Sequence, residues 1–139
     1  MGQTVREVMM PEPLAVDART TVESAAQVMR EHDIGDVLVT EDGVLRGILT
    51  DRDIVVRAIA AGRHPAATAT GEVCSAAVQT VSATEDTARA AEIMREHALR
   101  RLPVIEESRL VGIVSIGDLA VADDPDSALA DISAAPPNV

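Results

Sequence analysis

Gly47-Ile48-Leu49-Thr50-Asp51-Arg52-Asp53 recurs 65 residues further on as Gly112-Ile113-Val114-Ser115-Ile116-Gly117-Asp118. Each copy reads as the end of an apolar strand, then a hydroxyl residue, then an Asp three residues later at the start of a helix. The two copies belong to a longer repeat. Laying residues 5–55 on residues 70–120 without a gap gives 16 identical pairs in 51 positions. They include Glu7/Glu72, Val16/Val81, Ala25/Ala90 and the run Met29-Arg30-Glu31-His32 against Met94-Arg95-Glu96-His97. Other pairs exchange like for like, as in Val28/Ile93 and Ile54/Leu119. A gapless register of this length marks a duplicated structural unit.

Outward from the two copies, the units read in the same order. In the first, residues 4–62, Glu7 to Met10 is a short helical turn ended by Pro11 and Pro13. Leu14 to Val16 is a short strand. Thr20 or Thr21 caps a helix whose Val22, Ala25, Ala26, Val28 and Met29 recur at helical spacing. Arg30 and His32 lie near its end, where positive charge suits the helix dipole. Val37-Leu38-Val39 begins a strand, Glu41-Asp42-Gly43 makes a hairpin turn, and Val44 to Leu49 returns. Asp53 to Ala61 is a second helix, closed by Gly62. Residues 63–69 are a linker. The second unit, residues 70–122, repeats the order: a turn at Glu72 to Ser75, a strand at Gln79 to Val81, and a helix from Thr84 or Glu85 to His97. Hairpin strands at Leu102 to Ile105 and Arg109 to Val114 follow, then a short helix from Gly117 to Ala122. Residues 123–139 form an acidic, Pro-containing tail with a weak helical turn around Ala128 to Ile132.

Each unit is therefore β-α-β-β-α with a leading turn, an α/β (α+β) arrangement. One three-stranded sheet with two helices leaves Val37, Val39, Ile48, Val104, Ile113 and Val114 in need of a partner surface. Two units packed sheet to sheet, with pseudo-twofold symmetry, supply it.

Composition narrows the function. The chain has 139 residues, enough for one ordinary domain with a core. Its 12 basic and 23 acidic residues give a formal net charge of −11, which disfavours nucleic acid and anionic membrane surfaces as partners. There is no Phe, Tyr or Trp, so a bound base must lie on aliphatic groups. The single Cys74 rules out an internal disulfide and fits a reducing cytosol, so a cytoplasmic location is expected. No apolar run approaches the ~20 residues of a membrane span, and Met1 to Val8 lacks the apolar stretch of a signal peptide.

The Thr/Ser-x-x-Asp motif has two readings. A hydroxyl at a helix N-cap with an acid three residues on is a capping box, with Asp in place of the usual Glu. The same geometry suits a nucleotide. Free N–H groups and the dipole at the helix start favour a phosphate. The hydroxyl can donate to a phosphate oxygen, and the carboxylate can accept from two ribose hydroxyls.

Together, the residues resemble a pair of CBS domains, the Bateman module, over about residues 4–122. The resemblance rests on the apolar strand ending in Gly-x-x-Thr/Ser-x-x-Asp in both halves. It rests also on Arg100-Arg101-Leu102-Pro103-Val104, similar to the family's second strand, and on Thr50-Asp51-Arg52-Asp53-Ile54-Val55, similar to small stand-alone bacterial pairs. It implies a regulatory module, without catalysis, binding an adenosine-type nucleotide (AMP, ADP, ATP or a related adenosyl compound) in the cleft between units. No cofactor is required. Thr50 with Asp53, and Ser115 with Asp118, would hold phosphate and ribose. Arg100 and Arg101 would meet phosphate, or stand as a solvated pair; the first unit has Gly35 and Asp36 there, so the clefts should differ. The base pocket borrows from the opposite unit, which implicates Leu14 for the Ser115/Asp118 cleft and Gln79 for the Thr50/Asp53 cleft. Met10 replaces the small hydroxyl residue often found at its position, and Ser75 keeps it. The alternative is a CBS-fold interaction or stress-associated protein that has lost its ligand.

The resemblance also implies a homodimer, through outward helix faces that include Ala25, Ala26, Ala58, Ala61, Ala90 and Ala91, with room for a further protein partner. His32 and His97 sit at equivalent helix ends, where the dipole accounts for them, and with His64 they are not read as metal ligands. Cys74 is read as a small buried apolar residue, and Met9 and Met10 as core.

Overall fold

The structure is a computed structural model and describes residues 2–76 and 79–123. In chain order it contains α1 (Val5–Val8), β1 (Met10–Pro11), β2 (Ala15–Asp17), α2 (Val22–His32), β3 (Asp36–Glu41) and β4 (Val44–Thr50). A single α-turn, α3 (Asp51–Asp53), runs into a π-helix, Ile54–Ile59, and a 3-10 turn follows at Pro65–Ala67. Then come α4 (Thr70–Val73), β5 (Val81–Ser82), α5 (Thr87–His97), β6 (Arg101–Glu106), β7 (Arg109–Ser115) and α6 (Ile116–Asp123). The expected turn at Ala128 to Ile132 lies outside the described residues.

These elements form two compact units: residues 14–76, and residues 2–13 together with 79–123. We call them the Thr50 unit and the Ser115 unit. In the Thr50 unit β2 runs parallel to β3, and β3 pairs antiparallel with β4. In the Ser115 unit β5 runs parallel to β6, and β6 pairs antiparallel with β7.

The leading turns have changed places between the repeats. The Val5 and Arg6 amides donate to the carbonyls of Glu85 and Ala83, at 2.8 and 3.0 Å, and β1 pairs antiparallel with β7. Arg6 also pairs with Glu106. In the Thr50 unit the Thr70 and Gly71 amides donate to the carbonyls of Thr20 and Ala18, at 2.8 and 2.9 Å, and Ser75 bridges Ile48. Each lead-in segment therefore sits on the repeat that it does not introduce in sequence.

The α2 N-cap is Thr21, whose hydroxyl accepts from the Ser24 amide at 3.1 Å. The second long helix begins later than Thr84 or Glu85. Its N-cap is Asp86, which the repeat aligns with Thr21, because the Glu85 amide is spent on a turn to the Ser82 carbonyl at 3.1 Å. Both helices end in a left-handed residue, Asp33 and Ala98, each with φ 54°. Both hairpins turn through two positive φ values: Asp42 and Gly43 at 54° and 83°, Glu107 and Ser108 at 53° and 68°. That is the twist a two-residue hairpin needs, and the second turn achieves it without glycine.

Each unit buries one face of its sheet under its own helices. Val37, Val39 and Leu49 pack with Val22, Ala25, Met29 and Ala58. Val104, Val114 and Leu102 pack with Ala90, Ile93, Met94 and Leu119. Val37, Val39, Val104 and Val114 thus find cover inside their own unit, while Ile48 and Ile113 are only half-buried. Each fully buried Val or Leu contributes about 1.5–3 kcal/mol.

Three expectations do not hold. Ala25, Ala58 and Ala90 do not face outward; all three are fully buried, because a small side chain is what lets a helix lie close on a sheet. Met10 is not core: its side chain is 61% exposed, since β1 is an edge strand that turns it to solvent. The second helix of the Thr50 unit also starts earlier than expected, at Asp51, and is largely π-helical. Its Val55 and Ile59 are 59% and 54% exposed.

Candidate functional site

The two motif copies take the same shape. In the Thr50 unit the Asp53 amide donates to the Thr50 hydroxyl at 3.0 Å, and the Thr50 amide donates to Asp53 Oδ2 at 3.0 Å. In the Ser115 unit the Asp118 amide donates to the Ser115 hydroxyl at 3.0 Å, and the Ser115 amide donates to Asp118 Oδ2 at 2.8 Å. Both are complete capping boxes. The next amide in each is held by the residue just ahead of the neighbouring strand, β3 or β6: Asp51 donates to the Gly35 carbonyl at 2.9 Å, and Ile116 to the Arg100 carbonyl at 2.8 Å. A hydroxyl that accepts from a backbone amide keeps its own proton to donate. The capping geometry and the nucleotide geometry are therefore compatible at the same atoms.

The glycines of the motif have a close-approach role. A Cβ on Gly47 would fall onto the Ser75 carbonyl oxygen, and one on Gly112 onto the Met9 sulfur and the Met10 carbonyl. Each glycine lets a lead-in segment lie against the strand that carries the hydroxyl residue. Cys74 lies in the same crowded place, half-buried, and burial pushes its thiol pKa up.

The units differ around the Asp. Asp53 is buried, with 7% exposure. The Ser75 hydroxyl lies 3.3 Å from its Oδ1, and Arg57 Nε lies 3.7 Å from the same oxygen. Arg57 Nη1 also reaches the carbonyls of Val73 and Cys74, at 3.4 Å each. In the Ser115 unit the repeat puts Met10 at the place of Ser75 and Ala122 at the place of Arg57. Neither carries a donor.

The residues across the strand differ too. Arg101 pairs with Ser115 at the start of β6, and Asp36 pairs with Thr50 at the start of β3. A cation stands across from one hydroxyl residue and an anion across from the other. Arg100 is exposed. Leu14 lies in the Thr50 unit and is exposed; Gln79 lies in the Ser115 unit and is half-buried. Arg57 was not singled out by the sequence reading, although its i, i+4 spacing from Asp53 is the signal that finds it. His64 Nδ1 accepts from the Ala66 amide at 3.2 Å, and His32 and His97 are exposed in the last turns of α2 and α5. Among the described residues no three His, Cys, Asp or Glu side chains converge as a metal site.

The CBS domain family model matches residues 5–59 and 71–124. The chain belongs to the CBS domain family, as a tandem pair. It is 39% identical over 118 residues to CBS domain-containing protein YhcV of Bacillus subtilis, covering 85% of this chain and 84% of that one. It is 42% identical over 118 residues to Hypoxic response protein 1 of Mycobacterium tuberculosis, covering 84% of this chain and 82% of the relative. The crystal structure of Hypoxic Response Protein I with two coordinated zinc ions superposes with a TM-score of 0.76, covering 85% of this chain and 97% of that one. CBSX2 in complex with AMP shares the fold, with a TM-score of 0.74 at 24% identity, over 88% of this chain and 96% of that one.

Proposed function

We propose that the protein is a cytoplasmic, non-catalytic regulatory module that senses an adenosine-type nucleotide at the Thr/Ser-x-x-Asp helix starts. The observation that carries this is the Ser115 unit. Its box presents a hydroxyl, a carboxylate and a helix N-terminus together, with Arg101 in register with Ser115. Ser115 and Arg101 meet phosphate, with Arg100 beside them, and Asp118 holds the ribose. Thr50 and Asp53 form the weaker, second position. Leu14 and Gln79 serve the base, whose contacts are aliphatic. CBSX2, a protein of the same fold, holds AMP.

The module works as a homodimer. The support is apolar surface on both units: Val55, Val56 and Ile59 on one, Ile116 and Val121 on the other. Equivalent shallow grooves lie alongside, about 390 Å³ next to Met29 and Ile54 and about 330 Å³ next to Met94 and Leu119.

A panel of adenosine, AMP, ADP, ATP and S-adenosylmethionine tests the reading by thermal shift. A ligand at 100 times its dissociation constant adds ~2.7 kcal/mol to stability. No shift with any of them favours the second reading, a ligand-free interaction or stress-associated protein. That reading draws on the likeness to Hypoxic response protein 1 and on an Asp53 already engaged by its own neighbours.

A further inference from the structure

Resting on the nucleotide reading above, we propose that Arg57 and Ser75 form a latch over the Thr50 site that couples its filling to the segment 73–75. The latch lies wholly within one unit. Asp53 Oδ2 already accepts from the Thr50 amide, and a diol that bridges both carboxylate oxygens also needs Oδ1. That oxygen already faces the Ser75 hydroxyl at 3.3 Å and Arg57 Nε at 3.7 Å. The same guanidinium spans to the carbonyls of Val73 and Cys74. Ser75 is in turn stitched to β4 by two backbone hydrogen bonds with Ile48, at 2.8 and 2.9 Å.

A diol that binds Asp53 at Oδ1 competes there with the Ser75 hydroxyl and the Arg57 cation. Loss of the Ser75 contact removes one anchor of the lead-in segment and leaves Arg57 to its carbonyl contacts. The Ser115 unit has no counterpart, because Met10 and Ala122 occupy the two positions. The duplicated motif has thus diverged around its two carboxylates, with the latch at Asp53.

The test is calorimetry with AMP on the full chain carrying Asp118→Ala, which leaves only the Thr50 position, with and without Arg57→Met. Arg57 is half exposed, so the gain is modest: about two- to fivefold tighter AMP binding when the latch is removed. Hydrogen exchange supplies a readout that needs no ligand. The Ser75 amide, bonded to the Ile48 carbonyl, exchanges faster in Arg57→Met, and Arg57→Lys falls in between. AMP added to the Asp118→Ala protein reproduces the faster exchange. Unchanged or weaker AMP binding in the double variant overturns the latch, as does unchanged Ser75 exchange. If the parent protein binds no AMP at all, the nucleotide reading falls and this proposal falls with it. Binding by the parent without a gain in the double variant overturns the latch alone.

Discussion

The Ser75 hydroxyl sits 3.3 Å from Asp53 Oδ1, whereas the matching lead-in residue of the other unit, Met10, has no hydroxyl to offer Asp118 and turns to solvent. The two carboxylates occupy equivalent capping boxes and have unequal surroundings. Asp118→Ala is therefore expected to weaken AMP binding more than Asp53→Ala does. Isothermal calorimetry on the two variants measures this. Equal losses would show that the differences at Ser75, Arg57 and Arg101 do not reach the ligand.

Arg101 lies in register with Ser115 in a chain of net charge −11. Arg-to-phosphate bonds are roughly twice as strong as neutral ones. The acidic balance of the chain opposes a long phosphate chain unless a divalent cation screens it. AMP and ADP are expected to bind better than ATP in metal-free buffer, with magnesium narrowing the gap. Arg101→Ala loses every phosphorylated adenosine and barely changes adenosine itself. Titrations of the four compounds, with and without magnesium, decide it; tightest binding by metal-free ATP refutes the phosphate assignment.

Gly47→Ala places a methyl group on the Ser75 carbonyl oxygen, a backbone atom that cannot step aside cheaply. Overpacking of this kind costs about 1–3 kcal/mol. Gly112→Ala meets first the flexible Met9 side chain and costs less. Thermal melts followed by far-ultraviolet circular dichroism compare the two, since the chain has no Tyr or Trp to report by absorbance or fluorescence. A larger loss from Gly112→Ala contradicts the packing described.

Asp17 is held at a pKa of about 2, mainly by side-chain and backbone hydrogen bonds from Arg19. Its folded value lies below the ordinary 3.8, so any stability it contributes is present above that value and is lost as pH falls through about 2. Arg19→Ala is expected to return the carboxyl midpoint toward 3.8, as read by NMR titration of the Asp17 carboxyl carbon. Asp17 is a surface residue, so the melting temperature at pH 7 moves little. An unchanged midpoint would show that Arg19 does not hold it.

Sedimentation should give a dimer at micromolar concentration, and Ile59→Lys should weaken it, because that exposed side chain belongs to the apolar stripe of the π-helix. A monomeric parent protein rules the dimer out.

The duplication, both hairpins and the capping boxes were legible because each rests on local chemistry: alternation, turn residues, and a hydroxyl three residues ahead of an acid. Asp86 was missed as an N-cap because Thr84 and Glu85 offer the same chemistry one or two residues earlier, and only the register with Thr21 separates them. The π-helix was not legible, since Ile54, Val55 and Val56 fit an α-helix equally well. The outward placement of Ala25, Ala58 and Ala90 failed because small residues serve close packing both between copies and inside one. The surroundings of Asp53 were half visible: Ser75 stood out by its position in the repeat, while Arg57 acts on carbonyls sixteen and seventeen residues away.

The exchanged lead-in segments set an order of assembly. Residues 14–76 are contiguous and hold every strand of the Thr50 unit, so that unit closes as soon as Ser75 reaches Ile48. Residues 4–11 must wait about a hundred residues for β7, and closing a loop of that size costs entropy that grows only as the logarithm of its length. During synthesis, which runs from the N-terminus, residues 4–11 are made before the Thr50 unit and placed after it. A lesion at Val5 or Met9 therefore shows itself in the Ser115 unit, about a hundred residues downstream.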